Sequence, residues 1–305
     1  MSGAASAGDG WPALPYEAWR ATKQTLHMEL QVVGKLRLAL APMEPQWGQV
    51  PLYVTARGLT SSPIPHPSGS FDVDVDLVDH VVSVRTGRGA VERVRLEPRS
   101  VADFYTALMT ALDRAGVPVE ISTVAVEVPD PIPYPEDRVH ASYEPEWAER
   151  AHRVLLLVDA VLKEHRARFR GKTSPVQFFW GAFDLSYARF SGRLLEPPAA
   201  AGSIMRATHD AEQACAGFWP GDDTHPEAAF FAYTWPQPDG IEGARIEPGA
   251  AGWSAALGEF LLPYEAVRKA ADPRRALLDF LETTYRAGAE RAGWAPELAG
   301  ESPPA

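Results

Sequence analysis

Residues 71–96 read FDVDVDLVDHVVSVRTGRGAVERVRL, and this stretch decides the fold class. Between Phe71 and Leu77, apolar residues alternate with three aspartates, as expected for a strand with one buried and one wet face. The pattern predicts one long strand or two over 71–85 and a further strand over 91–96. Strands that follow one another without an intervening helix are typical of antiparallel sheet. The chain is therefore predicted to be an α+β protein, with mainly antiparallel sheets packed with long helices.

The three aspartates of this stretch raise the question of a cation site. Asp72, Asp74 and Asp76 have the spacing of positions 1, 3 and 5 of a calcium loop. That loop needs Gly at its sixth and Glu at its twelfth position, where this sequence has Leu77 and Ser83. We therefore expect the solvated face of a half-buried strand. A carboxylate row that faces a cavity is the alternative.

The composition excludes several classes of protein. The chain has 305 residues, of which 46% are hydrophobic and 23% charged, as in a soluble globular protein of one large domain or two. Its net charge of -11 argues against nucleic acid as a partner, because phosphate binding needs clustered Lys and Arg. The single cysteine, Cys215, allows neither an intramolecular disulfide nor a Cys-rich zinc site. No apolar run approaches the ~20 residues that span a bilayer, and residues 1–10 do not have the pattern of a signal peptide. We expect a cytoplasmic protein that does not bind membranes.

The proline-rich segment 129–139 is the predicted boundary between two halves, because its alternating prolines favour a stiff, extended chain. The first half covers residues 11–128 and the second half residues 140–295. Disordered tails are predicted over 1–10 and 296–305. Each half runs helix, strands, helix, so a distant duplication is one interpretation, although no residue-level repeat supports it.

Local signals place the remaining elements. A helix is predicted to begin near Pro15, two others after the capping residues Ser100 and Asp272, and one after the proline-rich segment. Further strands are predicted over residues 50–60, 117–128, 174–192, 230–235 and 257–264. The segment 174–192 is too long for one straight strand, and Gly181 is the expected bulge.

Polar residues in segments that otherwise suit a core are the candidates for chemistry. His27, Gln31 and Lys35 occur at positions i, i+4 and i+8 of the first helix and form one polar stripe. Such a stripe could bind an anion or provide an acid/base pair, and an exposed polar face is the alternative. Arg57 lies in a strand predicted to be buried, so it needs either a carboxylate partner or a ligand.

The second half of the chain has its own candidates. Asp184 and Arg189 lie in or just after an aromatic run, where a charged side chain is either paired or functional. Trp219 and Tyr233 belong to aromatic-rich segments that could line a pocket, although such stripes more often form core. Cys215 is interpreted as a small buried side chain, with a nucleophile as the less favoured alternative.

No motif in the sequence identifies a metal or a cofactor. His140 and Asp137 could ligate a metal, but neither an HxH nor an HExxH motif accompanies them, so no metal site is predicted. The signals of serine hydrolases, P-loop NTPases and Rossmann dehydrogenases (GxSxG, the Walker loop and GxGxxG) do not occur. The cofactor is therefore left unspecified.

Several segments together form a familiar pattern. They are WPALPYEAW, TLHMELQVVGKLRLAL, PLYVTARGLTSSPIP, EDRVHASYE, SPVQFFWGAFDLSYARFSGR, AGFWPG and GEFLLPYEAVR. In these segments the chain resembles a bacterial protein family described only as a domain of unknown function. The resemblance runs from Trp11 to about Trp294 and favours one family-sized unit over two independent domains. It implies no reaction, cofactor or catalytic residue, and it fits a soluble bacterial protein.

The leading hypothesis is an enzyme that acts on a small anionic metabolite in a cleft between the two halves. The predicted catalytic residues are His27, Lys35 and Asp184, and the predicted substrate-binding residues are Gln31, Arg57, Arg189, Trp219 and Tyr233. His27 would be the acid/base, while the lysine and the arginines would hold a carboxylate or phosphate. The alternatives are a non-catalytic small-molecule binding protein with an aromatic-lined pocket, and an interaction or scaffold protein with an exposed apolar patch.

Overall fold

The computed structural model describes residues 10–197 and 202–299. The α-helices of this part are α1 Tyr16–Leu40, α2 Val101–Arg114, α3 Pro145–Ala167, α4 Ser203–Thr208, α5 Tyr264–Arg268 and α6 Pro273–Arg291. None of the helices described is both long enough and apolar enough to cross a membrane.

The strands fall into two sheets of six. The first sheet contains β1 Tyr53–Thr55, β2 Gly58–Thr60, β3 Ile64–His66, β4 Gly69–Asp76, β5 Val81–Thr86 and β6 Val91–Arg95. The second contains β7 Gln177–Phe179, β8 Asp184–Leu194, β9 Ala211–Trp219, β10 Ala229–Trp235, β11 Gly252–Ser254 and β12 Glu259–Pro263. Every strand pair in both sheets is antiparallel. The predicted α+β class with antiparallel sheets is confirmed.

The quoted stretch 71–96 forms the centre of the first sheet. Its strand order is β1-β2-β4-β5-β6, and β3 pairs with one end of β4. Phe71, Val73 and Val75 are each at most 2% exposed, as their alternation along β4 predicts. The periodicity of the sequence therefore identified the buried face of this sheet correctly.

The aspartates of β4 lie on the opposite face, where arginines neutralise them. Arg85 pairs with Asp74 and, at 3.6 Å, with Asp72. Arg57 donates from Nε to Asp76 at 2.6 Å. All these side chains keep some contact with solvent. The acidic row is thus an ion-paired, partly solvated strand face.

The second sheet has the order β11-β12-β10-β9-β8-β7. Helix α3 contacts β8, and helix α6 contacts β9 and β10, so these two helices cover one face. The sheets meet at their edges, because Leu52 before β1 exchanges two backbone hydrogen bonds of 2.9 and 2.8 Å with Phe178 of β7. One continuous apolar core includes side chains of both sheets, among them Val84 and Phe218.

Helix α1 is buried on most of its circumference. Trp19, Leu26 and Val33, which recur every seven residues, are each 1% exposed. The polar stripe of Gln31 and Lys35 is also buried, with exposures of 0% and 3%. The polar stripe of this helix therefore faces protein and not water.

Two predicted helix starts have the expected side-chain caps. The Ser100 Oγ accepts a hydrogen bond from the Asp103 N–H at 3.2 Å, and the Asp272 Oδ1 accepts one from the Arg275 N–H at 2.9 Å. These bonds satisfy N–H groups that the first turn of a helix leaves free. Pro273 at the first helical position needs no such partner.

Two predicted long strands are hairpins in the structure. The segment 50–60 turns at Ala56 and Arg57 between β1 and β2, so Arg57 lies at an exposed hairpin tip and not in a buried strand. The segment 174–192 turns at residues 180–183 between β7 and β8, and Phe183 takes a left-handed φ of 61° there. Gly181 belongs to this turn and is not a bulge.

The predicted strand over 117–128 does not form. Its backbone at Val126 hydrogen-bonds the side-chain amide of Gln31 in α1, and Thr123 accepts from the N–H of Tyr134. The segment pairs with a side chain and a neighbouring loop, so it has no β-ladder. Conversely, β9 was not predicted, because its alanines and glycine give a weak β signal.

The predicted connector and tail contain some ordered structure. Within the connector, Tyr134 and Asp137 are both 0% exposed. Within the predicted C-terminal tail, Pro296–Leu298 form a 3₁₀ turn and Ala299 pairs with Phe169. Residues 1–9 and 300–305 of the predicted tails lie outside the described residues.

Candidate functional site

A cavity of about 400 Å³ lies over the face of the second sheet that α3 and α6 leave uncovered. Three other parts of the chain complete its walls: the 3₁₀ turn at Gln46 and Trp47, the segment at Val126 and Glu127, and α4. Its volume falls within the range of about 300–1,000 Å³ that small-molecule sites occupy. Strand residues supply its floor, and chain segments from both halves supply its rim.

Strand register brings the floor residues together. One row of cross-strand partners runs from β7 to β10 and consists of Gln177, Ser186, Gly217 and Phe231. The side chains of Gln177, Ser186 and Phe231 line the cavity. Gly217 is necessary in this row, because a Cβ there would overlap the Phe231 ring and the Ser186 side chain. The Phe231 ring can thus lie close against the sheet.

A second row consists of Ala188, Cys215 and Tyr233. Burial raises the pKa of the Cys215 thiol to about 12. Burial also raises the pKa of the Tyr233 hydroxyl well above its usual value. A thiol that remains protonated at neutral pH is a poor nucleophile, which agrees with the sequence interpretation of Cys215.

Three carboxyl groups line the cavity: Asp184, Glu127 and Glu259. Burial raises the pKa of Asp184 to about 7, a hydrogen bond of 2.8 Å from Ser186 opposes this shift, and the charges of Glu127 and Glu259 add to it. Burial raises the pKa of Glu259 to about 7 as well, and it also raises the pKa of Glu127. Glu127 lies at the rim and remains exposed. Near neutral pH Asp184 and Glu259 are therefore poised between their neutral and charged forms.

Aromatic side chains form much of the remaining wall. They are Trp47, Phe179, Trp180, Tyr187, Phe190, His209, Trp219, Phe231 and Tyr233. Among the residues that the structure describes, no lysine or arginine lines the cavity. Burial lowers the pKa of His209, so this ring is predominantly neutral at pH 7.

His27 and Gln31 lie behind the cavity wall, where they hold its backbone. The Nε2–H of His27 is shared between the carbonyls of Gly181 at 2.9 Å and Trp180 at 3.0 Å. Burial lowers the pKa of His27 to about 3, so its ring is neutral at physiological pH. The Gln31 amide forms two hydrogen bonds with the backbone of Val126, next to Glu127. Both side chains therefore position the wall, and neither faces the cavity.

Three cationic side chains that were predicted to bind the substrate lie outside this cavity. Lys35 is 3% exposed, has no hydrogen-bond or ion-pair partner among the described residues, and has a pKa lowered by burial. Arg57 is engaged with Asp76 on the first sheet. Arg189 lies on the helix-covered face of β8, with its guanidinium 4.4 Å from the centre of the Tyr285 ring. The predicted cluster of cationic anion-binding groups is thus not assembled.

Of the predicted site residues, Asp184, Trp219 and Tyr233 line the cavity together. His140 and Asp137 form an isolated pair, with 2.7 Å between Nδ1 and Oδ2. Within residues 10–197 and 202–299, no group of three or more His, Cys, Asp or Glu side chains could hold a metal ion.

A comparison with models of protein families matches residues 11–300, nearly the full chain, to a family of unknown function (DUF5996). The chain belongs to this family. Every residue that lines the cavity of this DUF5996 member lies within the matched range. Searches of curated proteins and of solved structures gave no match.

The sequence reasoning missed Glu127, Gln177, Ser186 and Glu259. Gln177 and Ser186 alternate with apolar residues in the aromatic segment, and this alternation is a signal that could have placed them on one face. Glu259 opens an otherwise apolar strand, which is a weaker signal of the same kind. Glu127 gave no such signal, because its segment does not form the strand that its composition predicts.

Proposed function

We propose that this DUF5996 member binds a small organic molecule in the cavity over the open face of β7–β12. The observation that supports this proposal is the combination of a volume of about 400 Å³, aromatic walls and a few polar side chains among them. Small-molecule sites usually have this composition, because apolar walls provide affinity and sparse polar groups fix orientation. The proposal takes up the alternative of a binding protein with an aromatic-lined pocket.

The hypothesis of an enzyme that acts on an anionic metabolite stays a prediction with less support. Lys35, Arg57 and Arg189 were its anion-binding groups, and all three lie outside this cavity. Of the predicted catalytic residues, only Asp184 lines it. A cytoplasmic, bacterial setting also stays a prediction, supported by the single cysteine and by the sequence resemblance.

The scaffold alternative predicts a contiguous exposed apolar patch. The large apolar side chains with the greatest exposure include Met43, Val139 and Leu194, which belong to a loop after α1, the connector and the end of β8. Single exposed apolar residues of this kind are normal on globular proteins. The cavity therefore has more support than an apolar interface.

The test is to fill the cavity and measure the binding of a neutral probe. Ala188 is 7% exposed and lies beside Cys215 on the cavity floor, so Ala188→Leu adds three carbon atoms to the cavity. Ala18→Leu on the exposed side of α1 is the matched control. We expect 2-phenylethanol to bind the wild-type chain and the control in calorimetry, and to bind Ala188→Leu at least tenfold more weakly.

Tryptophan fluorescence provides an independent readout, because Trp47, Trp180 and Trp219 line the cavity. The probe should change the emission of the wild-type chain and of Ala18→Leu to the same extent. Failure of the probe to bind the wild-type chain, or equal binding by Ala188→Leu, would overturn the proposal.

A further inference from the structure

The charges around the cavity are not balanced. Asp184, Glu127 and Glu259 line it, whereas no arginine or lysine of the described chain does. On the first sheet the same protein pairs the partly solvated aspartates of β4 with Arg57 and Arg85. Carboxylates that lose hydration without a cationic partner are unfavourable, so such a group normally has a counter-charge or takes up a proton.

Two of these carboxyls also have no polar partner. Within the described part of the chain, neither the Glu127 nor the Glu259 carboxyl forms a hydrogen bond or an ion pair. Loss of hydration raises the pKa of each carboxyl. Asp184 has Ser186 as its side-chain partner. Glu259 lies on β12 and Asp184 on β8, with β10 and β9 between them in the sheet. The carboxyls are therefore distributed along the cavity and do not converge on one point.

An independent observation comes from Gln177. Its side chain lines the cavity, the residue is only 3% exposed, and its amide has no hydrogen-bond partner among the described residues. The amide atoms are not among the fully enclosed polar atoms without a partner, so they reach the cavity space, where water or a ligand can satisfy them. Gln177 is the cross-strand partner of Ser186, which places it beside the Asp184–Ser186 pair.

The aromatic walls favour the same class of ligand. The faces of Trp, Tyr and Phe rings attract cations, and this attraction strengthens where water is excluded. Trp180 and Trp219 line the cavity together with Asp184, so an ammonium group could contact a carboxylate and a ring face at once. An anionic ligand would meet three carboxyls and the negative faces of the rings.

We propose that the ligand of this cavity is a small organic amine, which binds as its ammonium ion in the combined field of the Asp184, Glu127 and Glu259 carboxyls, with its apolar body between the aromatic side chains. This inference rests on the proposed small-molecule function and specifies the ligand class. The Gln177 amide is the neutral group that would hydrogen-bond a polar substituent of the same ligand. Carboxyls spread along the wall suit an extended organic cation better than a compact metal ion.

The pH dependence of binding follows from the groups that face the cavity. Without a ligand, burial holds the pKa of Asp184 and of Glu259 at about 7, so both are largely protonated at pH 5.5 and largely ionised at pH 8. Burial raises the pKa values of Cys215, Tyr187 and Tyr233, so these groups keep their protons over this range. Burial also raises the pKa of Glu127, and it lowers the pKa of His209, which favours the neutral ring. An ammonium ion should therefore bind more tightly as the pH rises from 5.5 to 8.

The experiment uses three probes with the same phenyl body: 2-phenylethylamine, 2-phenylethanol and phenylacetate. Calorimetry at pH 7.5 on the full chain should show the amine binding at least tenfold more tightly than the alcohol, and phenylacetate binding most weakly. The double variant Asp184→Asn, Glu259→Gln should abolish the preference for the amine, measured as the ratio of the amine and alcohol affinities of the same variant. Asp113→Asn, on the exposed face of α2, is the control for net charge.

The outcomes separate the two proposals. If the alcohol binds but the amine binds no more tightly, the cavity is a ligand site and the inference of an amine is overturned. The same conclusion follows if the double variant leaves the preference for the amine intact. If none of the three probes binds the wild-type chain, both proposals fail.

Discussion

Gln31 holds the backbone of Val126 with both ends of its side-chain amide. Its Nε2 donates to the Val126 carbonyl at 2.8 Å, and its Oε1 accepts from the Val126 N–H at 3.0 Å. Val126 immediately precedes Glu127, which has a left-handed φ of 57° at the cavity rim. A side chain of α1 thus replaces the partner strand that this segment does not have, and it determines where the Glu127 carboxyl lies.

Gln31→Met should destabilise the protein and displace Glu127. The substitution leaves the Val126 N–H and carbonyl without partners, and a loss of about 2–3 kcal/mol in unfolding free energy is expected for such groups. Urea denaturation measures this loss. Gln24→Met on the same helix is the control, because within the described part of the chain the Gln24 amide donates only to Asp223 near the surface. Equal effects of the two substitutions would contradict the role assigned to Gln31.

Glu29 should make the protein less stable as the pH rises. This residue of α1 is 1% exposed, both of its carboxyl oxygens are without hydrogen-bond partners, and burial raises its pKa to about 8, with Arg99 opposing the shift. In the folded chain Glu29 keeps a proton that the unfolded chain releases above its ordinary pKa of about 4.5. Stability is therefore lost between pH 4.5 and 8, by up to about 1.4 kcal/mol per pH unit.

Glu29→Gln removes the titrating carboxyl, so the unfolding free energy should fall less steeply as the pH rises. Urea denaturation at pH 5, 6, 7 and 8 would show a smaller decrease for the variant than for the wild-type chain. Glu17→Gln makes the same substitution on the exposed first turn of α1 and should leave the slope as it is. A slope that Glu29→Gln does not alter would show that Glu29 is not protonated in the fold.

His27 should remain neutral down to about pH 4. Burial is the main reason for its pKa of about 3, and the charge of Lys23 adds to it. Because the folded pKa lies below the ordinary value of 6.5, the unfolded chain takes up a proton first, and stability is lost as the pH falls from 6.5 to 3. Nitrogen-detected NMR, with the His27 signal assigned from His27→Gln, should show the Nε2–H form throughout pH 5–8. Titration of this signal near pH 6.5 would rule out the buried donor role.

Replacement of Arg189 by methionine should destabilise the protein far more than the same replacement of Arg57. The Arg189 guanidinium donates to the His165 carbonyl and lies beside the rings of Phe169 and Tyr285, at 5.1 and 4.4 Å from their centres. Its loss should lower the unfolding free energy by about 2–4 kcal/mol, through lost ring contacts and packing. Arg57→Met removes an exposed ion pair and should change stability little.

Neither arginine variant should change the affinity for the cavity probes, provided that the measurement is made below the unfolding transition. Thermal denaturation gives the stability difference, and calorimetry with 2-phenylethylamine gives the affinity. A tenfold loss of affinity in a folded Arg57→Met chain would restore the sequence-based prediction that this arginine binds the ligand.

Local patterns were sufficient to predict the fold class. The alternation of β4, the sevenfold recurrence in α1 and the caps at Ser100 and Asp272 each depend on residues close together in the chain. Turns inside long β-prone segments were harder to predict. At Arg57 and in the turn before Asp184 the composition suits either a continuous strand or a hairpin, and this choice decides which way each side chain points.

The candidate site was predicted only in part for the same reason. Asp184, Trp219 and Tyr233 were identified because polar or amphipathic residues in aromatic strands are conspicuous. Lys35 and Arg189 looked equally conspicuous, yet Lys35 lies within packed protein and Arg189 contacts two rings on the other face of the sheet. A sequence shows that a polar group lies in an apolar segment, but the direction of that group depends on the neighbouring elements.

The sequence by itself determined the α+β class, the buried faces of β4 and α1 and the helix starts, because periodicity and capping act over a few residues. Only the tertiary structure decided that Glu127, Gln177, Asp184 and Glu259 share one cavity, because they come from a loop and three different strands that long-range packing brings together. It also decided that this cavity is acidic and aromatic. The charge of a site is the sum over side chains that converge in space, and that convergence depends on strand register and on the turns between strands.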